Sequence, residues 1–170
     1  MARRVRLTCM TVFVICAAAG AAAAEFDHVR SDEPAIRALL RRGYQRSATF
    51  RGLVDAIDAH PGIVYVARMR RLSRHMDGAL LHVVAGSPDV AVLRAVIRTN
   101  LAGDYAIGVL AHELQHVLEV LHSGPPASAQ AMETMFDDLE GGVTDGKFET
   151  DAARAMAADV LRELRQERRP

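Results

Sequence analysis

Apolar positions recur along this chain with two different periods, and the changes of period mark its elements. Ser31-Asp32-Glu33-Pro34 reads as a helix start, with Ser31 or Asp32 as cap and Pro34 in the first turn. Ile36, Leu39 and Leu40 follow at helical spacing, and Gly43 is expected to end that helix. Phe50, Leu53, Val54 and Ile57 predict a second helix from Ser47 to about Ala59, stopped by His60-Pro61-Gly62. The character then changes. Ile63 to Ala67, Ala79 to Val84 and Val90 to Ile97 are short runs of β type. Gly86-Ser87-Pro88-Asp89 is turn chemistry, so the last two runs are expected to form a hairpin.

Helical periodicity returns after Gly103-Asp104 and continues to about His122, with Asp104 as the expected cap and Gly124-Pro125-Pro126 as the breaker. A shorter helix is expected from Ser128 to Leu139, then a loop marked by Gly141, Gly142 and Gly146. A last helix is expected from about Phe148 to Gln166. Helices, a small sheet, then more helices point to an α+β class rather than alternating α/β.

Composition narrows the picture. The 170 residues suit one domain. Arg3, Arg4 and Arg6 precede an apolar run from Leu7 to Ala19, then Gly20 and Ala21 to Ala24. That order predicts a signal peptide over residues 1–24 and a single exported domain over 25–170, secreted or periplasmic. The run is too short to predict stable membrane insertion after cleavage. Cys9 and Cys16 both fall within it, so the exported part has neither disulfides nor thiolate ligands. A metal site there must be built from His and carboxylates. The remaining 18 basic and 21 acidic residues carry no nucleic-acid footprint. Without Trp, the core must rest on Leu, Val and Ile.

The long helix contains His112-Glu113-Leu114-Gln115-His116. Residues four apart share a helix face, so two imidazoles can reach one ion. Glu113 lies about 100° round the helix, where it can meet a water on that ion without competing as a ligand. The spacing therefore supplies two ligands, His112 and His116, and one general base. Val117, Leu110, Leu121, Leu114, Ile107 and Leu118 fall on the opposite face. The sheet could cover that face and the later helices the histidines, or the reverse.

Ile107 through His116, following a strand, resembles the active-site helix of zincin metallopeptidases, and more closely that of small secreted bacterial zincin-like proteins of unassigned activity. The resemblance implies a zincin-like domain: a small sheet packed on the His-bearing helix, with flanking helices. It implies Zn²⁺ as cofactor and hydrolysis of a peptide or protein substrate, with Glu113 taking a proton from a metal-activated water and passing it to the leaving amine.

A catalytic zinc takes three protein ligands. His122 has the metzincin spacing, but Glu119 stands where that motif needs glycine. Glu119 lies on the ligand face and suits orienting an imidazole N–H better than ligation. Glu133 and Asp137 match a Glu-x-x-x-Asp pattern. Glu149, in Glu149-Thr150-Asp151-Ala152, resembles the glutamate stretch of gluzincins and is the preferred third ligand, although Ala153 replaces an aspartate common there. Both Glu133 and Glu149 also suit the first turn of a helix as ordinary acids. Tyr105, His75 and His82 are candidates for stabilising an oxyanion, and Val90 to Ile97 for pairing with an extended peptide. The alternative to an enzyme is a non-catalytic metal-binding or interaction domain.

Overall fold

The computed structural model describes residues 26–81, 86–87, 90–124, 126–139, 143–144 and 147–167. The expected export signal, both cysteines, His82 and the glycines of the 141–146 loop lie outside them. The fold is α+β. A mixed sheet is formed by β1 (Val29–Arg30), β2 (Ile63–Met69), β3 (Gly78–Leu81), β4 (Gly86–Ser87) and β5 (Val90–Arg98). Its order is β1-β2-β5-β3, with β4 also paired to β5. The expected hairpin is present: Leu81 faces Arg94 and Gly78 faces Ile97 in an antiparallel ladder. The β1 strand escaped the sequence reading because two residues are too few to show a period. It pairs in parallel with β2, setting Val29 beside Val64.

Period 2 decides what β2 and β5 bury. Val64 and Val66 face the core beside their register partners Leu93 and Ala95, and Ile97 continues the row. Five helices accompany the sheet: α1 (Pro34–Arg46), α2 (Ala48–Asp58), α3 (Gly103–Ser123), α4 (Ala129–Asp137) and α5 (Asp151–Gln166). Helix α3 is central. Its apolar side, including Ile107, Leu110, Leu114 and Val117, is fully buried in one core with Ile36, Leu40, Phe50, Val54 and Ile57 of α1 and α2. Helix α5 covers the side that carries the histidines. A Cβ at Gly108 would lie 2.7 Å from Leu161 Cγ, so glycine permits that close approach. None of the described helices is long and apolar enough to cross a membrane.

Several boundaries differ from expectation, each for a local reason. Gly43 does not end α1, which runs on to Arg46. It is a packing glycine: a Cβ there would stand 2.9 Å from Phe50 Cδ1 and 3.0 Å from Ile107 Cγ2. The α1 cap is Glu33, not Ser31 or Asp32, and its carboxylate is engaged by Arg68 N and Nε. Ala102 caps α3, while Asp104 takes Arg42 and Arg46 at 3.0 and 2.8 Å. Helix α5 starts at Asp151 because 147–148 pair as a strand, β7 (Lys147–Phe148), with β6 (Val143–Thr144). Val90 to Ile97 lies inside the sheet between β2 and β3, so it offers no free edge for a peptide.

Two stability effects follow. Gly43→Ala gains about 1 kcal/mol of helix propensity. Phe50 and Ile107 are fully buried and have nowhere to move, so overpacking of about 1–3 kcal/mol dominates. The urea midpoint should fall. The second effect concerns Glu163, which accepts from Ser47 Oγ at 2.7 Å and Thr49 N at 3.1 Å at the start of α2. Burial alone would raise its pKa, but hydrogen bonds from Thr49, Ser47 and the Ala48 backbone together lower it below the usual value of 4.5. A depressed carboxylate stabilises the fold above its unfolded pKa, and that contribution is lost as pH falls through the folded value. Glu163→Gln should therefore weaken the fold at neutral pH and flatten its acid limb, read by denaturant titrations between pH 3 and 7.

Candidate metal centre

The 3.6-residue repeat brings His112 and His116 onto one side of α3, and the rings converge. Their Nε2 atoms lie 3.1 Å apart. His116 is almost wholly buried, with its Nδ1 2.8 Å from Glu119 Oε2. A carboxylate only accepts, so Nδ1 of His116 is the donor in that pair. The His112 ring is met by the backbone of Ala153. Burial, then the neighbouring His116, hold the His112 pKa below its ordinary value, against the opposing pull of Glu149 and Glu119. The two Nε2 atoms thus face one point from adjacent turns of the helix. Two nitrogens on one tetrahedral zinc stand about 3.3 Å apart, so the pair fits such an ion.

Glu119 sits between two elements. Its second oxygen accepts from Thr150 Oγ1 at 2.7 Å. Thr150 is in turn the cap of α5, accepting from Ala153 N at 3.1 Å. The same chain of contacts sets Glu149, one residue earlier, beside the imidazoles: its Oε1 is 4.0 Å from His112 Nε2. Arg154 holds this glutamate through its Oε2 and its backbone carbonyl, at 3.5 and 3.0 Å. Glu149 therefore precedes the helix rather than standing on it. No three His, Cys, Asp or Glu among the described residues form a finished metal cluster. The histidine pair is set, and Glu149 Oε1 stands 4.0 Å from the nearer imidazole, His112.

Glu113 leaves the ligand row as the helical repeat requires and turns toward the sheet. It is 5% exposed, and it packs on Gly78 so closely that a Cβ there would lie 2.7 Å from its Cδ. Burial, and then the charge of Glu149, push its pKa up to about 8 in the metal-free protein. A cavity of about 430 Å³ opens over these groups, between residues 75–81, α3, Phe148, Glu149 and α5. Gly78, whose role is to leave room, carries no signal along the chain; nothing in a single glycine identifies the acid it accommodates.

The remaining candidates fall elsewhere or take other roles. Glu133 is exposed on α4. His122 is exposed near the end of α3 and meets His60 edge to face at 4.9 Å, away from the pair. Tyr105 and His75 both line the cavity. Tyr105 donates to Asp77 Oδ2 at 2.7 Å, which keeps its phenol protonated. Phe136 of α4 stands edge-on to the His116 ring at 5.2 Å and stacks on Phe148 at 4.1 Å, closing the apolar side of the site. Neither phenylalanine belongs to the HExxH pattern, and only the fold shows that they meet there. No family model, curated protein or solved structure matches this chain.

Proposed function

We propose that this protein is an exported zinc-dependent metallopeptidase of zincin-like, specifically gluzincin-like, construction. The observation that carries the reading is the pair of imidazoles whose Nε2 atoms converge to 3.1 Å beside the buried Glu113 carboxyl. His112 and His116 would hold the ion, with Glu149 as third ligand after a small closure. Glu119 orients His116 by accepting its Nδ1–H, which turns Nε2 toward the ion and raises its basicity as a ligand.

Zinc, when bound, supplies Lewis acidity and lowers the pKa of an associated water. The chain's own groups do the rest. Glu113 accepts a proton at its carboxylate and delivers it to the departing amine. The apolar wall of Leu161, Ala157 and Phe148 limits water around the reacting amide. Tyr105 and His75 stand on the opposing rim, within the same cavity but without an established contact to a reacting atom. The signal-like N-terminus supports an exported site of action.

The decisive test uses purified protein loaded with zinc. Metal analysis should find one ion per chain, lost from His112→Ala and His116→Ala. Zinc at 100 times its Kd should stabilise the fold by about 2.7 kcal/mol, raising Tm by about 5–10 °C, and chelator should reverse this. Glu113→Gln should keep the ion and lose at least about 100-fold in kcat on a peptide substrate. A Glu113→Gln variant as active as the parent overturns the peptidase reading and leaves a metal-binding domain without turnover.

Gly78 gives a second handle on the same step. Gly78→Ala places a methyl group against the Glu113 carboxyl, which is buried and has little room to yield. Zinc content should stay near one per chain while kcat falls about tenfold or more with KM little changed, because misplacing a reacting group costs rate rather than substrate affinity.

A further inference from the structure

The end of β2 and the loop that joins it to β3 carry four arginines, Arg68 in the strand and Arg70, Arg71 and Arg74 in the loop, and no acid until Asp77. Arg68 is engaged by Glu33. Arg70, Arg71 and Arg74 are exposed and make no hydrogen bond or ion pair among the described residues. Three solvated arginines on a loose surface loop would mean little. This loop is not loose. Arg98, at the end of β5, donates to Ser73 O at 2.7 Å, to Met76 O at 2.5 Å and to Asp77 Oδ1 at 3.2 Å. Its backbone N–H donates to Asp77 O at 2.7 Å. Asp77 also receives Tyr105 Oη from α3. Sheet and active-site helix thus pin the loop from two directions, and a turn from Met76 N to Ser73 O stiffens it between.

The pinned segment continues directly into the cavity. Residues 75–78 form its wall, and Arg74 is the residue immediately before them. Another side of the cavity carries Glu149, whose carboxylate Arg154 holds together with that of Asp151. The exposed Arg70, Arg71 and Arg74 lie on the segment that leads into the β3 wall and have no ion-pair partner among the described residues. A chain entering from that side meets uncompensated positive charge, the condition under which charge sets orientation and partner choice.

We propose that Arg70, Arg71 and Arg74 form a subsite for acidic residues of the peptide substrate, on the β3 side of the reacting bond. This deepens the peptidase reading and rests on it. Arginine suits the role because its planar fork meets a carboxylate with two parallel hydrogen bonds. Fixing the loop in advance removes the ordering cost that a mobile loop would meet on binding.

The test compares two fluorogenic peptide pools of equal length, one flanked by Asp and Glu and one by Ser and Gln, with zinc-loaded parent and an Arg70→Gln/Arg71→Gln/Arg74→Gln variant. Circular dichroism checks that the exposed substitutions leave the fold intact. The parent's kcat/KM ratio for acidic over neutral peptides should fall about five- to twentyfold in the variant, at the scale of three exposed charge pairs. It should also fall in the parent between 20 and 300 mM salt. Lysine at the three positions should restore most of it. If the parent cleaves both pools equally, or the variant keeps its preference, the subsite is wrong and the peptidase reading stands. If the parent cleaves neither pool, the peptidase reading fails, and fluorescence anisotropy of a labelled acidic peptide decides the surface. Binding weakened about five- to twentyfold by the triple substitution retains it as an acidic-peptide site; equal binding, or none, overturns it. Arginine-dependent binding to phosphatidylglycerol vesicles without peptide binding also overturns it, in favour of a membrane surface.

Discussion

Glu119 is the contact on which the geometry of the site turns. One of its oxygens fixes the proton on His116, and the other takes the hydroxyl of Thr150. Its carboxylate lies half-buried, and burial alone would raise its pKa. Hydrogen bonds from His116, Thr150 and Gln115 reverse this and keep the charge in place. A single charged group thereby sets the tautomer of one imidazole and the docking position of α5. The start of α5 and the residues just before it are positioned beside the histidines through it. Glu149 is one residue before Thr150, and Ala153, whose backbone meets the His112 ring, is three residues after it.

Close packing reinforces that electrostatic anchor. Gly108 lets Leu161 settle against α3, and Gly78 lets Glu113 settle against β3. The apolar side of α3 is meanwhile locked into the core by Ile107 against Gly43 and Phe50. The helix is thus held on every side, and its polar groups are the ones left facing the cavity. A buried carboxyl with a raised pKa and a half-buried one with a lowered pKa stand six residues apart on this helix. The difference comes from their partners: Glu119 receives three hydrogen bonds, whereas desolvation and the nearby charge of Glu149 dominate at Glu113.

Much of this was legible in the chain because it depends on periodicity. The spacing of Phe50, Leu53, Val54 and Ile57 located α2 to within a residue at each end, and Ser47 caps it through Phe50 N. The β3–β5 hairpin was marked by two neighbouring β-type runs, although Gly86 and Ser87, expected in its turn, pair with β5 as a strand, and the convergence of His112 and His116 follows from the repeat of a single helix. What escaped depends on contacts between distant segments. Gly43 looks like a helix stop until Ile107, far along the chain, is seen against it. Asp104 looks like a cap until Arg42 and Arg46 claim it. Glu149 resembles a helix residue, yet a two-residue strand pairing ends just before it and delays the helix to Asp151. The choice among carboxylates therefore rested on tertiary placement, which one helical pattern does not encode.

The cavity draws its walls from three stretches, and the last of them, Phe148 to Leu161, lies close to the C-terminus. A polypeptide emerging from its N-terminal end exposes both imidazoles and Glu113 well before that stretch exists. Without it, Glu119 has no Thr150 to hold, and the histidine side of α3 stays open to solvent. On the proposed reading, capture of the ion coincides with completion of the tertiary structure.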